Sequence, residues 1–349
     1  MNHRLKITIP LLMLSLLGGA YLVAANMANN NAESRLQSLV DEAELTQFVS
    51  WESVSQGLFE RDLIINKFKF SVELAADEAA ELLIDQLVVK NRKHSAEHDA
   101  ADVYFNKIQI INYAESSAQH LDTELQASFK SALGTEAVPP YDLHLRWDYH
   151  ALARRLQLEV NTKVPTIAET GLRLELTNVH SVRPHLTSHQ NPFLLDAWVN
   201  EPVTEDLLNW LLDSKLQHIS FNFRDLGFLK IYNSYQLQQF AERTFADRTN
   251  KNSTDKNSTD ATAPELQALA KQIHNAMLNE CQASVASFAQ QYAGACATVV
   301  DTMTANNKGF IFSAEVNNAA SLITLINASA DQDQLKKLLE QTTISLVSL

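Results

Sequence analysis

The chain has 349 residues and is acidic, with 28 Lys and Arg against 41 Asp and Glu; this argues against nucleic acid as a partner and against adhesion to anionic lipid headgroups by charge alone. Glycine is scarce, 8 residues in all, and apart from the adjacent Gly18 and Gly19 no two glycines lie close together in the sequence, so none are separated by one, three or four residues. The Rossmann fingerprint, the phosphate loop and the GxSxG nucleophile elbow are therefore all absent, because each needs closely spaced glycines to let backbone approach a phosphate or turn sharply.

Arg4 and Lys6 precede an uncharged run from Ile7 to Ala25. A cleavable signal peptide has an apolar core of about 7–15 residues and a spanning helix needs about 20. The length favours an uncleaved anchor, with Val23-Ala24-Ala25 before Asn26 keeping cleavage open as the alternative. In both cases the basic residues stay on the cytoplasmic side and the rest of the chain is exported. Without Arg4 and Lys6 the remainder carries 26 basic against 41 acidic residues, a net −15, and no second run of this kind follows.

Asn26 to Asn31 reads as a polar tether, and Leu36, Leu39, Val40 and Ala43 have the spacing of a short stalk helix. Residues 48–74, FVSWESVSQGLFERDLIINKFKFSVEL, read as a strand, a tight turn at Gly57 and a second strand, in which Phe68, Phe70, Val72 and Leu74 alternate with polar residues. Strands are predicted at Leu83 to Val89 and Val103 to Ile111, with NRKHSAEHDAAD as an exposed loop between them. Ser117 to Leu133 has helical character and is closed by Gly134 and Pro139-Pro140. Tyr141, Leu143, Leu145, Trp147 and Tyr149 alternate with Asp142, His144, Arg146, Asp148 and His150; Leu156 to Val160 and Leu172 to Leu176 repeat the pattern. The short connections predict an antiparallel meander with one apolar face.

From Pro202 the character changes. Thr204-Glu205-Asp206 opens a predicted helix over Leu207 to Lys215, Ile219 to Phe223 returns to strand, and Asp225 to Gly227 is a turn before a helix over Tyr232 to Arg248. KNSTD occurs twice, from Lys251 and from Lys256, and is a disordered insert by composition. Leu266, Leu269, Ile273, Met277, Cys281, Val285, Phe288 and Tyr292 form a long apolar stripe at helical spacing. Phe310 to Val316 predicts a strand, Ala319 to Ile326 and Gln332 to Leu339 helices, and Ile344 to Leu349 a final strand. The fold class is thus α+β: a mostly antiparallel, curved sheet with packing helices, preceded by one N-terminal transmembrane or signal helix. The chain divides into a signal anchor or signal peptide (1–25), a tether and stalk helix (26–47), a β-rich region (48–200) and a mixed region (201–349) with its insert near 249–263.

Few residues carry chemistry. His180, His185 and His189 are weak metal candidates: the second pair has the four-residue spacing that puts two imidazoles on one helix face, but Pro184 and Pro192 flank it and no glutamate lies between. His94 and His98 share that spacing in the charged loop. His144, Arg146, Asp148 and His150 project from one face of one strand, which suits a catalytic wall but is more often the solvated face of a half-buried sheet. Trp147, Tyr149, Phe221 and Phe223 would line an apolar groove if they are not core. Cys281 and Cys296 are too widely spaced for a redox CxxC pair; a disulfide is favoured by an exported location. One unbroken helix would hold them about 22 Å apart, so the bond requires the stripe to break, and Ser287 with Gln290 offers a capping box for a second helix. No cofactor is expected.

The basic start, single apolar run, stalk and Trp51-Glu-Ser-Val-Ser-Gln-Gly57-Leu58-Phe59 leading into a strand resemble the membrane-anchored YdgA-like envelope proteins of Gram-negative bacteria and, more loosely, AsmA-like proteins. The resemblance covers about the first 75 residues. It implies an inner-membrane, single-pass protein with a periplasmic β-rich body involved in envelope lipid handling, and it brings no catalytic residues. The expected function is non-enzymatic binding or scaffolding of a lipid or a membrane-protein partner; the alternative is a metal-dependent or carboxylate hydrolase of the periplasm.

Overall fold

A computed structural model describes residues 32–42, 45–56, 62–75, 78–95, 97–111, 130, 134, 139–179, 213–252, 263–289, 294–321, 324–325 and 332–349. The expected N-terminal helix and tether, the helix over Ser117 to Leu133 apart from Lys130, and most of that over Leu207 to Lys215 lie outside them. Among the described residues, no helix is long and apolar enough to cross a membrane.

Eleven strands among these residues form one open antiparallel sheet. In chain order they are β1 (Val49–Ser50), β2 (Ser53–Gln56), β3 (Leu63–Ala75), β4 (Glu78–His94), β5 (His98–Ile111), β6 (Tyr141–His150), β7 (Arg155–Val164), β8 (Ala168–Thr177), β9 (Lys215–Asp225), β10 (Gly309–Ser321) and β11 (Thr342–Ser348). From β3 onward spatial order follows chain order, while β1 and β2 both pair with β3. Period-2 alternation explains the meander: with one face buried, a slip of one residue would turn every apolar side chain to solvent. The register lines up Trp147 with Leu158, Leu158 with Leu174 and Leu174 with Ile219. A parallel row runs Leu145, Val160, Leu172, Phe221, Phe312 and Leu346.

The turns are built from local chemistry. Between β7 and β8 Ile167 donates its N–H to the Val164 carbonyl at 3.1 Å. Pro165 presets its own φ at the second turn position, and Thr166 takes the left-handed φ of 65° at the third. Between β6 and β7 Arg154 donates to the Ala151 carbonyl at 3.1 Å.

Five helices accompany the sheet among the described residues: α1 (Ala32–Glu42), α2 (Phe228–Asn252), α3 (Ala263–Ala289), α4 (Ala295–Met303) and α5 (Gln332–Glu340). In α1, Ala32, Leu36 and Val40, each four residues apart, are buried against the β3–β6 end of the sheet with Leu63, Ile65, Ile84, Val103 and Phe105. A second cluster gathers Leu156, Leu176, Val179 and Leu216. At the other end α4 packs on β10 and β11, α5 packs on β11 and α3, and α3 packs on α2 and α4.

Several elements differ from the sequence reading. Residues 91–94 and 98–102 are strand and not an exposed loop: β4 runs to His94 and β5 starts at His98. Their polar composition reads as loop, but Asn91 and Asp102 meet on the polar side of the sheet, where Asn91 donates to Asp102 Oδ2 at 2.5 Å. Lys215 opens β9 instead of closing a helix, and Ala320 and Ser321 belong to β10, past a break in register. Lys251 and Asn252 of the first KNSTD repeat complete α2. Residues 253–262 and Gly57 lie outside the described residues. Cys281 and Cys296 are joined by a disulfide with Cα atoms 5.8 Å apart. That distance rules out one continuous helix through both cysteines; α4 opens at Ala295 with Gly294 as N-cap, and Ser287 lies within α3 instead of at the start of a second helix.

Candidate functional site

The two faces of the sheet offer different chemistry. On the apolar face burial is graded. Leu143 and Leu145 are buried beneath the α1 cluster. Trp147 is half-buried and packs against both clusters. Leu158, Val160, Leu172, Leu174, Ile219, Phe221, Phe223, Phe312, Ile344 and Leu346 are only half-buried. Trp147 and Tyr149 stand on β6, and Phe221 and Phe223 on β9, so β7 and β8 separate the two aromatic pairs on a shared face. The Trp147 indole N–H donates to Asp99 Oδ1 and the Tyr149 hydroxyl to the Val179 carbonyl, each at 3.4 Å. Burial raises the Tyr149 pKa above the ordinary phenol value, and the Arg154 charge opposes the rise. Phe221 and Phe223 each place a ring 6.0 Å from Phe310.

The opposite face carries ionisable groups. His144, Arg146, Asp148 and His150 do share it, and β5 adds His98, Asp102 and Tyr104, the register placing His98 across from His150, Asp102 across from Arg146 and Tyr104 across from His144. The Tyr104 and His144 rings stack at 4.2 Å. Asp102 is buried; its Oδ1 lies 3.6 Å from His144 Nε2 and 3.6 Å from Arg146 Nε. Both Asp102 Oδ1 and His144 Nε2 are buried without a hydrogen-bond partner.

One strand-end further, His98 Nε2 lies 2.9 Å and His150 Nε2 3.0 Å from Asp148 Oδ1. The two imidazole rings stack at 4.2 Å. The sequence reading placed His98 in a loop and so missed this grouping. The usable signal was the alternation of His98, Asp102 and Tyr104 with Val103 and Phe105, which continues the strand toward its N-terminus.

Two further polar groupings lie along this face. Glu175 accepts from Arg155 at 2.7 Å and from Arg173 at 2.8 Å. Burial, the largest single influence, pushes its carboxyl up, but the combined hydrogen bonds and charges of Arg155 and Arg173 bring it below the ordinary value of 4.5. An open cleft of about 680 Å³ is bounded by Asn66, Gln86, Asn106, Lys67, Asp85 and Lys107 among others. The Asp85 carboxyl is held below the ordinary range by hydrogen bonds from Lys67 and then Lys107. Both lysines are exposed, so this is a solvated ion-pair cluster.

His180, His185 and His189 lie outside the described residues. No protein-family model matches the chain, and no curated protein matches it. Fold and site together define an open antiparallel meander with a graded apolar face and a histidine-bearing polar face.

Proposed function

We propose that the chain is a membrane-tethered protein of the cell envelope, its body in the periplasm, which binds an acyl chain on the apolar face of its sheet and is not an enzyme. The observation that carries this reading is the half-buried row from Trp147 through Leu158, Leu174 and Ile219 with its neighbour Val160, Leu172, Phe221 and Phe312. Four strand-to-strand steps from β6 to β10 span about 19 Å, a length that suits an extended hydrocarbon. Apolar surface of this extent is uncommon on a soluble protein unless something covers it. The uncharged run from Ile7 to Ala25 supports placement at a membrane, where such a ligand is at hand.

The test is organic extraction of the purified full chain followed by mass spectrometry, beside a Leu174→Asp variant. Wild type should yield acyl lipid, and the variant should keep its β circular-dichroism spectrum while losing most of that lipid. Absence of lipid from wild type together with no uptake of a fluorescent fatty acid would refute the reading.

A further inference from the structure

We propose that His98, Asp148 and His150 form a three-ligand site for a divalent zinc-class metal ion on the polar face of the sheet. His98 and His150 are directly opposed across β5 and β6, the arrangement that brings cross-strand side chains closest. Asp148 precedes His150 by two residues and therefore shares its face. One atom from each residue lies within 4.8 Å of the other two, and the two imidazole nitrogens sit 2.9 and 3.0 Å from the same carboxylate oxygen. Zinc bonds of about 2.0–2.2 Å in tetrahedral geometry separate ligand atoms by about 3.3 Å, so a small outward movement of each side chain admits the ion. Two imidazoles and one carboxylate are a donor set that zinc, cobalt and nickel accept.

The frame around the site is set before a metal arrives. The Ser95 hydroxyl accepts the His98 backbone N–H at 3.0 Å, and the Ser95 backbone N–H donates to the His98 carbonyl at 2.9 Å. Ala100 stands opposite Asp148, so a methyl group alone flanks the carboxylate there. The His98 and Asp148 side chains are about three-quarters buried and His150 is half-exposed, which leaves an entry side. Three protein ligands leave one position open for water or for an anionic group of a bound molecule. The site lies on the face opposite the apolar row, so it stands or falls independently of acyl-chain binding.

The experiment titrates zinc into the metal-free full chain by calorimetry, and cobalt with visible absorption as the geometric readout, for wild type, His98→Ala, His150→Ala, Asp148→Asn and the control His185→Ala. Wild type should take up one equivalent at micromolar concentration with the absorption of a low-symmetry cobalt site. Each of the three site variants should weaken binding by more than about a hundredfold, beyond the roughly 10–100-fold that loss of an outer-shell contact commonly costs, while His185→Ala binds as wild type does. X-ray absorption of the zinc-loaded wild type, which needs no variant to fold, should show two imidazoles and one carboxylate oxygen. No uptake at millimolar zinc, or uptake that survives His98→Ala and disappears with His185→Ala, overturns the proposal and leaves the cluster a carboxylate shared by two histidines.

Discussion

At the scale of the residue, two backbone positions carry opposite lessons. Gly309 opens β10 with φ 155°, and a Cβ built there would overlap the Phe223 carbonyl oxygen. That neighbour is backbone and cannot rotate away, so Gly309→Ala should lower stability by about 1–3 kcal/mol. Thr166 occupies the left-handed region with a β-branched side chain at φ 65°, where glycine is free of strain. Thr166→Gly should therefore raise stability, by about 1 kcal/mol after the entropy of the added glycine is subtracted. Chemical denaturation of the two variants checks both signs; a stabilised Gly309→Ala or a destabilised Thr166→Gly would contradict this account. Neither position stood out in the sequence, because strain is a property of φ and of what the backbone passes. The His98–Asp148–His150 grouping was hidden for a related reason. Fifty residues separate His98 from Asp148, and only the strand register brings them together.

At the scale of the element, alternation made β6 legible over its whole length and β7 and β8 in part, since a period of two survives any choice of partner; residues 161–164 and 168–171, which run up to the β7–β8 turn, carry no apolar alternation and were not read as strand. The far halves of β4 and β5 were not legible. Asn91, Lys93, His98 and Asp102 are loop residues by composition, and what holds them in strand is pairing across the sheet. The long stripe of α3 was visible as a helix, but its packing was not. Ile273 remains 37% exposed, and among the described residues α3 packs chiefly on α2, α4 and α5. The link from α3 to α4 is the disulfide between Cys281 and Cys296, which closes a sequence separation of 15. Loop-closure entropy for such a span corresponds to about 3 kcal/mol. α4 also buries Val300 and Thr302, and His274 on α3 reaches Asp301 on α4 at 2.8 Å. The Cys281→Ser, Cys296→Ser double variant should thus lose several degrees of melting temperature and become more sensitive to proteolysis between Ala289 and Ala295. An unchanged melting curve and digestion pattern would show that side-chain packing alone holds the pair.

At the scale of the whole molecule, the antiparallel class was legible from the one-faced strands and the continuity of the sheet was not. A change of composition at Pro202 suggests a new region, yet β8 pairs with β9 from Ala168 against Asp225 to Thr177 against Lys215. The sequence could name the strands that alternate, but not that β9 to β11 extend the same layer. The ends of β9 and β10 add something to this. Asp225 donates its N–H to the Lys308 carbonyl at 2.7 Å, and Arg224 pairs with Gly309. The chain departs for 83 residues, builds α2, α3, α4 and their disulfide, and returns to the point it left. In the language of protein engineering the helical excursion is a cassette, seated on a hairpin that already closes beneath it. Replacing residues 226–308 by Asn-Gly, the dipeptide suited to a two-residue hairpin turn, should leave a chain that still unfolds cooperatively with a β spectrum. Its melting temperature should fall because β10 and β11 lose the α4 cover. Loss of the cooperative transition would show that the helices are needed for the sheet to form at all. If the cassette can be removed, its seat can also receive something else, and a reporter domain with closely spaced termini could be carried there without interrupting a single strand pair.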